Sequence, residues 1–276
     1  VYCLGKCYAA PATTEDAARP PVEVHSRIEI VLERIAEGGA QSLDEYERRG
    51  GLNGLRKALA FGPAKTLDEV ETSELRGRGG AAFPTARKWC TAATQPAAEK
   101  HVVANFDEGD PGAYLDRIIV EEDPFALIEG MAIAAFAVGA GRGWIYARCE
   151  YPPAIAMLRQ ALDDARGGGL LGQHVLGSQF AFDVELVVGR GSYVCGEETS
   201  LLASIEGRRP VVRARPPFTA ECGLWHAPTV VNNVETLANV PWILRHGAME
   251  YAALGIPGSR GTKVLSLNSL FQRPGL

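Results

Sequence analysis

From His101 onward, segments of strand composition alternate with segments of helical periodicity, and this restricts the fold to an α/β layer with a largely parallel sheet. His101-Val102-Val103-Ala104-Asn105-Phe106 reads as a strand that delivers carboxylates to the acidic turn Asp107-Glu108-Gly109-Asp110-Pro111-Gly112. Residues 124–140 predict an apolar helix, 143–148 a strand, 153–166 a helix, 182–188 a strand and 201–205 a helix. In 230–244 a strand end turns at Asn232-Asn233 into a helix, and 262–268 is strand-like again.

The N-terminal part has a different character. Cys3-Leu4-Gly5-Lys6-Cys7 places two thiols close enough to share one iron or zinc, although a cluster or structural metal usually takes four ligands. On spacing alone the pair equally fits two free cysteines. Ala, Pro, Thr and charged residues over 11–21 read as a linker. Ile28, Val31, Leu32 and Ile35 then recur at helical spacing up to Gly38-Gly39, Ser42 with Glu45 forms a capping box, and Leu52, Leu55, Ala58 and Leu59 predict a helix ended by Gly62-Pro63. This helical arm has apolar faces that must dock on something.

The net charge of -5 and a pI near 5.7 leave no basic footprint for nucleic acid, so any phosphate site must be local. Residues 125–140 are broken by Glu129-Gly130 and fall short of the ~20 residues of a membrane span. Six cysteines in 276 residues are not a small-domain disulfide framework and favour a reducing compartment, the cytoplasm. With no initiator Met at Val1 and a strand-to-turn transition at the last residues, the chain is expected to be a fragment.

The stretch Leu75-Arg76-Gly77-Arg78-Gly79-Gly80-Ala81-Ala82-Phe83-Pro84-Thr85-Ala86-Arg87-Lys88-Trp89 reads as a nucleotide cradle, because glycines let backbone N–H groups approach an anion. Gly77-x-Gly79-x-x-Ala82 formally fits the dinucleotide fingerprint, but 68–74 is too acidic for the buried strand that must precede it, and no P-loop Lys-Ser/Thr follows. A glycine loop alone fits a plain turn as well. A second glycine-containing loop, Gly189 to Thr199, together with Lys88, Asn105 and Asn232-Asn233 offers amides and a cation suited to a phosphate, a ribityl chain and a heterocycle edge. Asp107, Glu108, Asp110, Glu197 and Glu198 read as ribose-hydroxyl acceptors, with metal binding, acid–base work or a solvated turn as alternatives. Cys195 lacks a local His partner and is expected to be a packing residue; the histidines show no ligand spacing and no catalytic triad is visible.

Four motifs resemble, in order and spacing, the FMN- and NADH-binding flavoprotein subunit of respiratory complex I. They are Arg76 to Thr85, Asn105-Phe106-Asp107-Glu108, Tyr193-Val194-Cys195-Gly196-Glu197-Glu198 and Pro228 to Thr236. The same module serves bidirectional hydrogenases and NAD-dependent formate dehydrogenases. The likeness runs from about Val70 to the end. Val1 to Pro11 looks like the last two ligands of a thioredoxin-like [2Fe-2S] domain, a fusion commoner in the formate dehydrogenase β subunit and the hydrogenase diaphorase subunit, and formate dehydrogenase is the favoured setting.

The resemblance implies a Rossmann-like FMN-binding domain with a mostly parallel sheet over 70–248. It would be preceded by the end of the cluster domain (1–12) and by a linker and helical arm (13–69), and followed by the start of a ubiquitin-like domain (249–276). It implies that Gly77, Gly79, Lys88, Asn105 and Asp107, with Glu108, Gly196, Glu197, Asn232 and Asn233, surround FMN. Phe83, Asp110, Glu198, Arg215 and Phe218 would contact NADH, and Cys3 with Cys7 would be half of a [2Fe-2S] site. Hydride transfer at flavin needs alignment and control of potential rather than a protein acid–base dyad. Implied partners are iron–sulfur and catalytic subunits of a larger redox complex, with no nucleic acid and no membrane insertion; the closing [4Fe-4S] motif is absent. Phe106 for a small residue, Asp110 for Glu, Thr91 for an aromatic and Arg215 for Lys depart from the family pattern in the adenine pocket's detail. A non-catalytic nucleotide-binding or electron-carrier subunit is the competing class.

Overall fold

The computed structural model describes residues 22–110, 112–268 and 270–276, so Cys3, Cys7 and the segment 1–12 lie outside the described residues. Four strands, β1 (His101–Phe106), β2 (Arg142–Arg148), β3 (Asp183–Gly189) and β4 (Thr229–Asn233), form one sheet in the order β3-β2-β1-β4, and every pairing is parallel. This is the Rossmann-like α/β fold: the chain grows from β1 to β2 to β3 on one side, then returns to place β4 on the other side of β1. Asn105 of β1 sits in register with Asn233 of β4, so the topological switch brings two amides together at the carboxyl ends of adjacent strands.

Among the described residues, ten helices accompany the sheet. The arm supplies α1 (Leu43–Arg48), α2 (Asn53–Phe61) and α3 (Pro63–Thr72), and α4 (Thr85–Thr94) follows the glycine stretch. The layer around the sheet continues with α5 (Leu115–Glu122), α6 (Pro124–Val138), α7 (Pro152–Gly167), α8 (Glu198–Ile205), α9 (Val234–His246) and α10 (Ala248–Ala252). A short antiparallel pair, β5 (Gly255–Ile256) and β6 (Ser259–Arg260), comes last.

The centre of the packing is α6, apolar on all sides but for Glu129 and buried at every residue except Phe136, as a helix without a polar face must be. At Gly130 a Cβ would lie 2.2 Å from the Leu237 carbonyl oxygen, so only glycine lets the α6 and α9 backbones approach this closely. Glu129, buried beside it, docks the arm. Its Oε1 accepts from the Leu55 N–H at 2.8 Å and its Oε2 from the Leu52 N–H at 3.0 Å, satisfying orphan donors at the start of α2, while the Tyr46 hydroxyl donates to the same carboxylate. Arg34 completes the seam through a buried ion pair to Asp123 at 2.7 Å.

The predicted Ser42 cap forms, its hydroxyl accepting from the Glu45 N–H at 3.3 Å. Two expectations change. No helix forms over 28–35: Ile30, Val31 and Leu32 are buried consecutively while Ile28 is exposed, a pattern no single helix face provides, and only a 3-10 turn at Ile35–Glu37 appears before Gly38 takes φ 95°. No strand forms over 262–268, because its backbone groups go to side chains. The Thr262 carbonyl accepts from Arg78, the Val264 N–H donates to Glu235, and one bridge joins Leu267 to Gly275.

Replacing Glu129 with Ala strands the Tyr46 hydroxyl and two buried N–H groups. Chemical denaturation is expected to show a loss of about 3 kcal/mol or more, and a loss below about 1 kcal/mol would contradict this role.

Candidate functional site

A cleft of about 620 Å³, within the ordinary range of ligand pockets, opens at the carboxyl ends of β1 and β4. Sheets of this topology bind ligands at that point, because adjacent connections leave the strand ends in opposite directions. One wall is the glycine loop, with Arg78 and Gly79; the opposite wall is the second loop, with Tyr193, Gly196 and Glu197. The β1 exit (Asn105, Asp107, Glu108) and the starts of α5 and α9 (Asp116, Asn233, Glu235) complete the lining.

The glycine loop is fed by α3 rather than by a strand, as the acidic run 68–74 predicts. It is held by the Arg78 N–H donating to Thr236 Oγ1 at 2.8 Å and by Gly77 N–H to the Phe83 carbonyl at 2.9 Å. A Cβ on Gly79 would stand 3.1 Å from the Asn233 Cβ, narrowing the space between loop and strand end. The Arg78 guanidinium, with a side chain only 4% exposed, donates to Tyr251 and to the Arg260 and Thr262 carbonyls at 2.9–3.0 Å.

Asn105 ties the second loop to the β1 exit: its Nδ2 donates to the Gly196 carbonyl at 2.8 Å and its Oδ1 accepts from the Asp107 N–H at 3.0 Å. Asp107 pairs with Arg148 at 2.7 Å, yet burial still raises its pKa. Glu108 accepts from the Leu115, Asp116 and Arg117 N–H groups at 2.7–3.2 Å and thereby caps α5, while burial pushes its carboxyl up. Asp116 accepts from Asn233 Nδ2 at 2.5 Å and the Glu235 N–H at 3.1 Å; burial, then the charges of Glu108 and Glu235, hold it well above the usual carboxylate range. Burial pushes Glu235 up to about 7.

Glu197 is the N-cap of α8. Its Oε2 accepts from the Thr199 and Ser200 N–H groups and the Thr199 hydroxyl, whereas its buried Oε1 has no hydrogen-bond partner among the described residues. An acceptor without a donor and bare backbone at Gly79 and Gly196 suit a ligand with hydroxyl or N–H groups on one part and an anion on another.

Of the residues expected around FMN, Gly79, Asn105, Asp107 and Glu108 line the cleft, as do Gly196, Glu197 and Asn233; Asp110, expected at NADH, lines it too. The structure sets three others apart from the lining. Gly77 lies just before it in the loop. Asn232 is buried, its Oδ1 accepting from Trp89 Nε1 at 2.8 Å. Lys88 donates to the Val231 carbonyl at 2.8 Å, covering a backbone acceptor of edge strand β4, and pairs with Glu198 at 3.2 Å. Glu198 also pairs with Arg215 at 2.8 Å, so Lys88, Glu198 and Arg215 form one chain of ions. Phe83 and Phe218 are half-exposed, with Arg87 over the Phe83 ring. Cys195 is buried in a small apolar cluster with Val103 and Tyr146, as expected of a packing residue.

Sequence reasoning passed over Arg78, Asp116, Tyr193 and Glu235. Arg78, Tyr193 and Glu235 lie inside the motifs already quoted; Asp116 lies on α5, which the apolar pattern did not announce. Among the described residues no group of His, Cys, Asp or Glu is arranged to hold a metal ion, and no helix is long and apolar enough to cross a membrane.

A family model described as the Nuo51 FMN-binding domain matches residues 70–242. The chain is 49% identical over 236 residues to the HndC subunit of the NADP-reducing hydrogenase of Solidesulfovibrio fructosivorans, covering 86% of this chain and 48% of that one. It is 42% identical over 259 residues to a subunit of the NADH-quinone oxidoreductase of Aquifex aeolicus, covering 94% and 61% respectively. The chain therefore spans about half to three-fifths of the length of these curated relatives. Among solved structures, an air-oxidized NAD+-reducing [NiFe]-hydrogenase superposes with a TM-score of 0.70 at 38% identity, over 78% of this chain and 36% of that one.

The Glu235 carboxyl is neutral in both folded and unfolded protein below its ordinary 4.5, whereas above about 7 it must ionise in a buried site. Its contribution to stability is thus fully present at low pH and is lost as pH rises between these values, by on the order of 3 kcal/mol. Denaturation of the ligand-free protein from pH 5 to 8 is expected to show this fall, and Glu235→Gln to flatten it; an unchanged slope in the variant would contradict the assignment.

Proposed function

This chain belongs to the family of the Nuo51 FMN-binding domain, and we propose from that premise that it is the NADH dehydrogenase (diaphorase) module of a larger redox complex. The observation that carries the reading is the cleft at the β1–β4 switch point, walled by two glycine-containing loops. FMN held there would supply a hydride acceptor for NADH and a donor of single electrons to iron–sulfur clusters.

The residues of this chain hold and align. Gly79 and Gly196 keep the walls free of side chains, Asn105 locks the second loop to the end of β1, and Asn233 with the start of α9 offers an amide at the strand end. Glu197 Oε1, with no hydrogen-bond partner among the described residues and the Arg215 guanidinium 3.8 Å away, is left able to accept from a ligand donor. Lys88, expected beside FMN, pairs with Glu198, which together with Arg215 and the exposed rings of Phe83 and Phe218 forms the NADH side. Hydride transfer at flavin needs alignment rather than a protein acid or base, so no side chain is given that role.

The named relatives are subunits of quinone oxidoreductases and hydrogenases, which supports those two settings; formate dehydrogenase, the setting favoured by the sequence, stays part of the proposal. The partners proposed are the iron–sulfur and catalytic subunits of such a complex, in the cytoplasm. The [2Fe-2S] contribution of Cys3 and Cys7 belongs to the same proposal.

Titration with FMN is expected to quench flavin fluorescence at one site per chain, and equilibrium dialysis of the loaded protein is expected to show NADH binding. Failure to bind FMN would overturn the reading; FMN binding without NADH binding would convert it into a carrier. Glu198→Ala is expected to raise KM for NADH by on the order of tenfold or more, the value of a charge-assisted contact, with FMN retention little changed. An unaltered KM would remove Glu198 from the NADH side.

A further inference from the structure

We infer that Glu235 takes up a proton from solvent when reduction leaves an additional negative charge in the cleft, making it the charge-compensating residue of the module. The inference rests on the flavin reading above. In the transfer the nicotinamide C4–H bond would break and its hydrogen, with both electrons, would form an N–H bond at flavin N5, so the nicotinamide is oxidised and the flavin reduced. Once the oxidised nicotinamide leaves, the cleft holds one more negative charge, and one proton from water forms an O–H bond on the Glu235 carboxylate.

The geometry singles out Glu235 among the carboxyl groups that line the cleft. Asp107 is held by Arg148. Both oxygens of Glu108 accept N–H groups from the first turn of α5, which stabilises its charged form. Both oxygens of Asp116 are also engaged, by Asn233 and the Glu235 N–H. The Glu197 Oε2 is committed to three donors at the start of α8, and its Oε1 lies 3.8 Å from the Arg215 guanidinium. Asp110 is exposed to solvent and accepts from the Gly112 N–H at 2.9 Å. Glu235, only 3% exposed, accepts one hydrogen bond on its carboxylate among the described residues, from the Val264 N–H at 3.1 Å.

A second observation points the same way. The Arg78 Nε is buried, has no hydrogen-bond partner among the described residues and lies 3.9 Å from Glu235 Oε1. Glu235 therefore sits beside a donor too distant for a hydrogen bond, in a cleft where Arg78 is the one cation among the described lining residues.

The charged and titratable groups that face Glu235 come from every element around it. Asp116 of α5 and Glu108 of the turn after β1 are carboxyl groups; Arg78 of the glycine loop and Lys263 after β6 are cations; Tyr251 of α10 donates to Asn239 and receives Arg78. With burial, this balance leaves the carboxyl near the midpoint of its titration at neutral pH, where one added negative charge in the cleft converts it to the protonated form.

The test uses the chain loaded with FMN. The midpoint potential of the bound flavin is measured against pH, and redox-difference infrared spectra are recorded on protein labelled with 13C at glutamate carboxyls. The expected result is uptake of one further proton per two electrons around neutral pH, with a protonated-carboxyl band that appears on reduction and shifts with the label. Glu235→Gln is expected to lose both. Retention of the band and the pH slope in the variant overturns the inference. So does a wild-type spectrum with no band, or with a band insensitive to the glutamate label, which keeps the test decisive even if the variant does not fold. Protein that takes up no FMN overturns the flavin reading itself; FMN uptake without carboxyl protonation overturns this inference alone.

Discussion

The parallel pairing of β1 with β4 is the constraint on which the site depends. It sets Asn105 opposite Asn233 where the chain changes direction across the sheet, and everything that lines the cleft is hung from those two strand ends. Asn105 reaches sideways to the second glycine-containing loop, while Asn233 reaches to Asp116 and so fixes the start of α5. The pairing is itself held in place from below, because α6 and α9 meet at Gly130 with no side chain between them. A methyl group there would displace the helix that β4 leads into. Packing in the core and geometry in the cleft are thus one problem.

The electrostatics follow from this arrangement. Bringing the acidic turn after β1 against the N-termini of α5 and α9 buries carboxyl groups that water would otherwise solvate, and the fold answers with backbone N–H groups and amides more than with cations. Cations are used instead as fasteners: Arg148 at Asp107, Arg34 at Asp123, Lys88 at the open edge of β4, and Arg78 between the glycine loop and the segment after β6. The lining that remains is acidic and only partly committed, which is the property a charge-accepting site requires.

Much of this is legible in the sequence. The alternation after His101 carries the strands, because buried parallel strands are apolar on both faces, and Gly77 opens no dinucleotide fingerprint because a helix, not a strand, leads into that loop. The strand order nevertheless belongs to the doubly wound class, so the loop motif and the fold are separate facts. What the sequence does not reveal depends on long-range partners. Residues 28–35 look helical until the turn has to present three consecutive apolar side chains and Arg34 to the core. Nor does the sequence reveal the local partners of Lys88 and Asn232, the free edge of β4 and the indole of Trp89. Asp116 has no local signal at all; its importance comes from Asn233, Glu108 and Glu235, which are distant in sequence or hidden in other motifs.

The most direct test of the central claim is anaerobic addition of NADH to the FMN-loaded chain while the flavin absorbance is followed in a stopped-flow instrument. The account predicts rapid bleaching of the oxidised flavin band with formation of one NAD+ per flavin. Flavin that stays bound and oxidised in the presence of saturating NADH would contradict it.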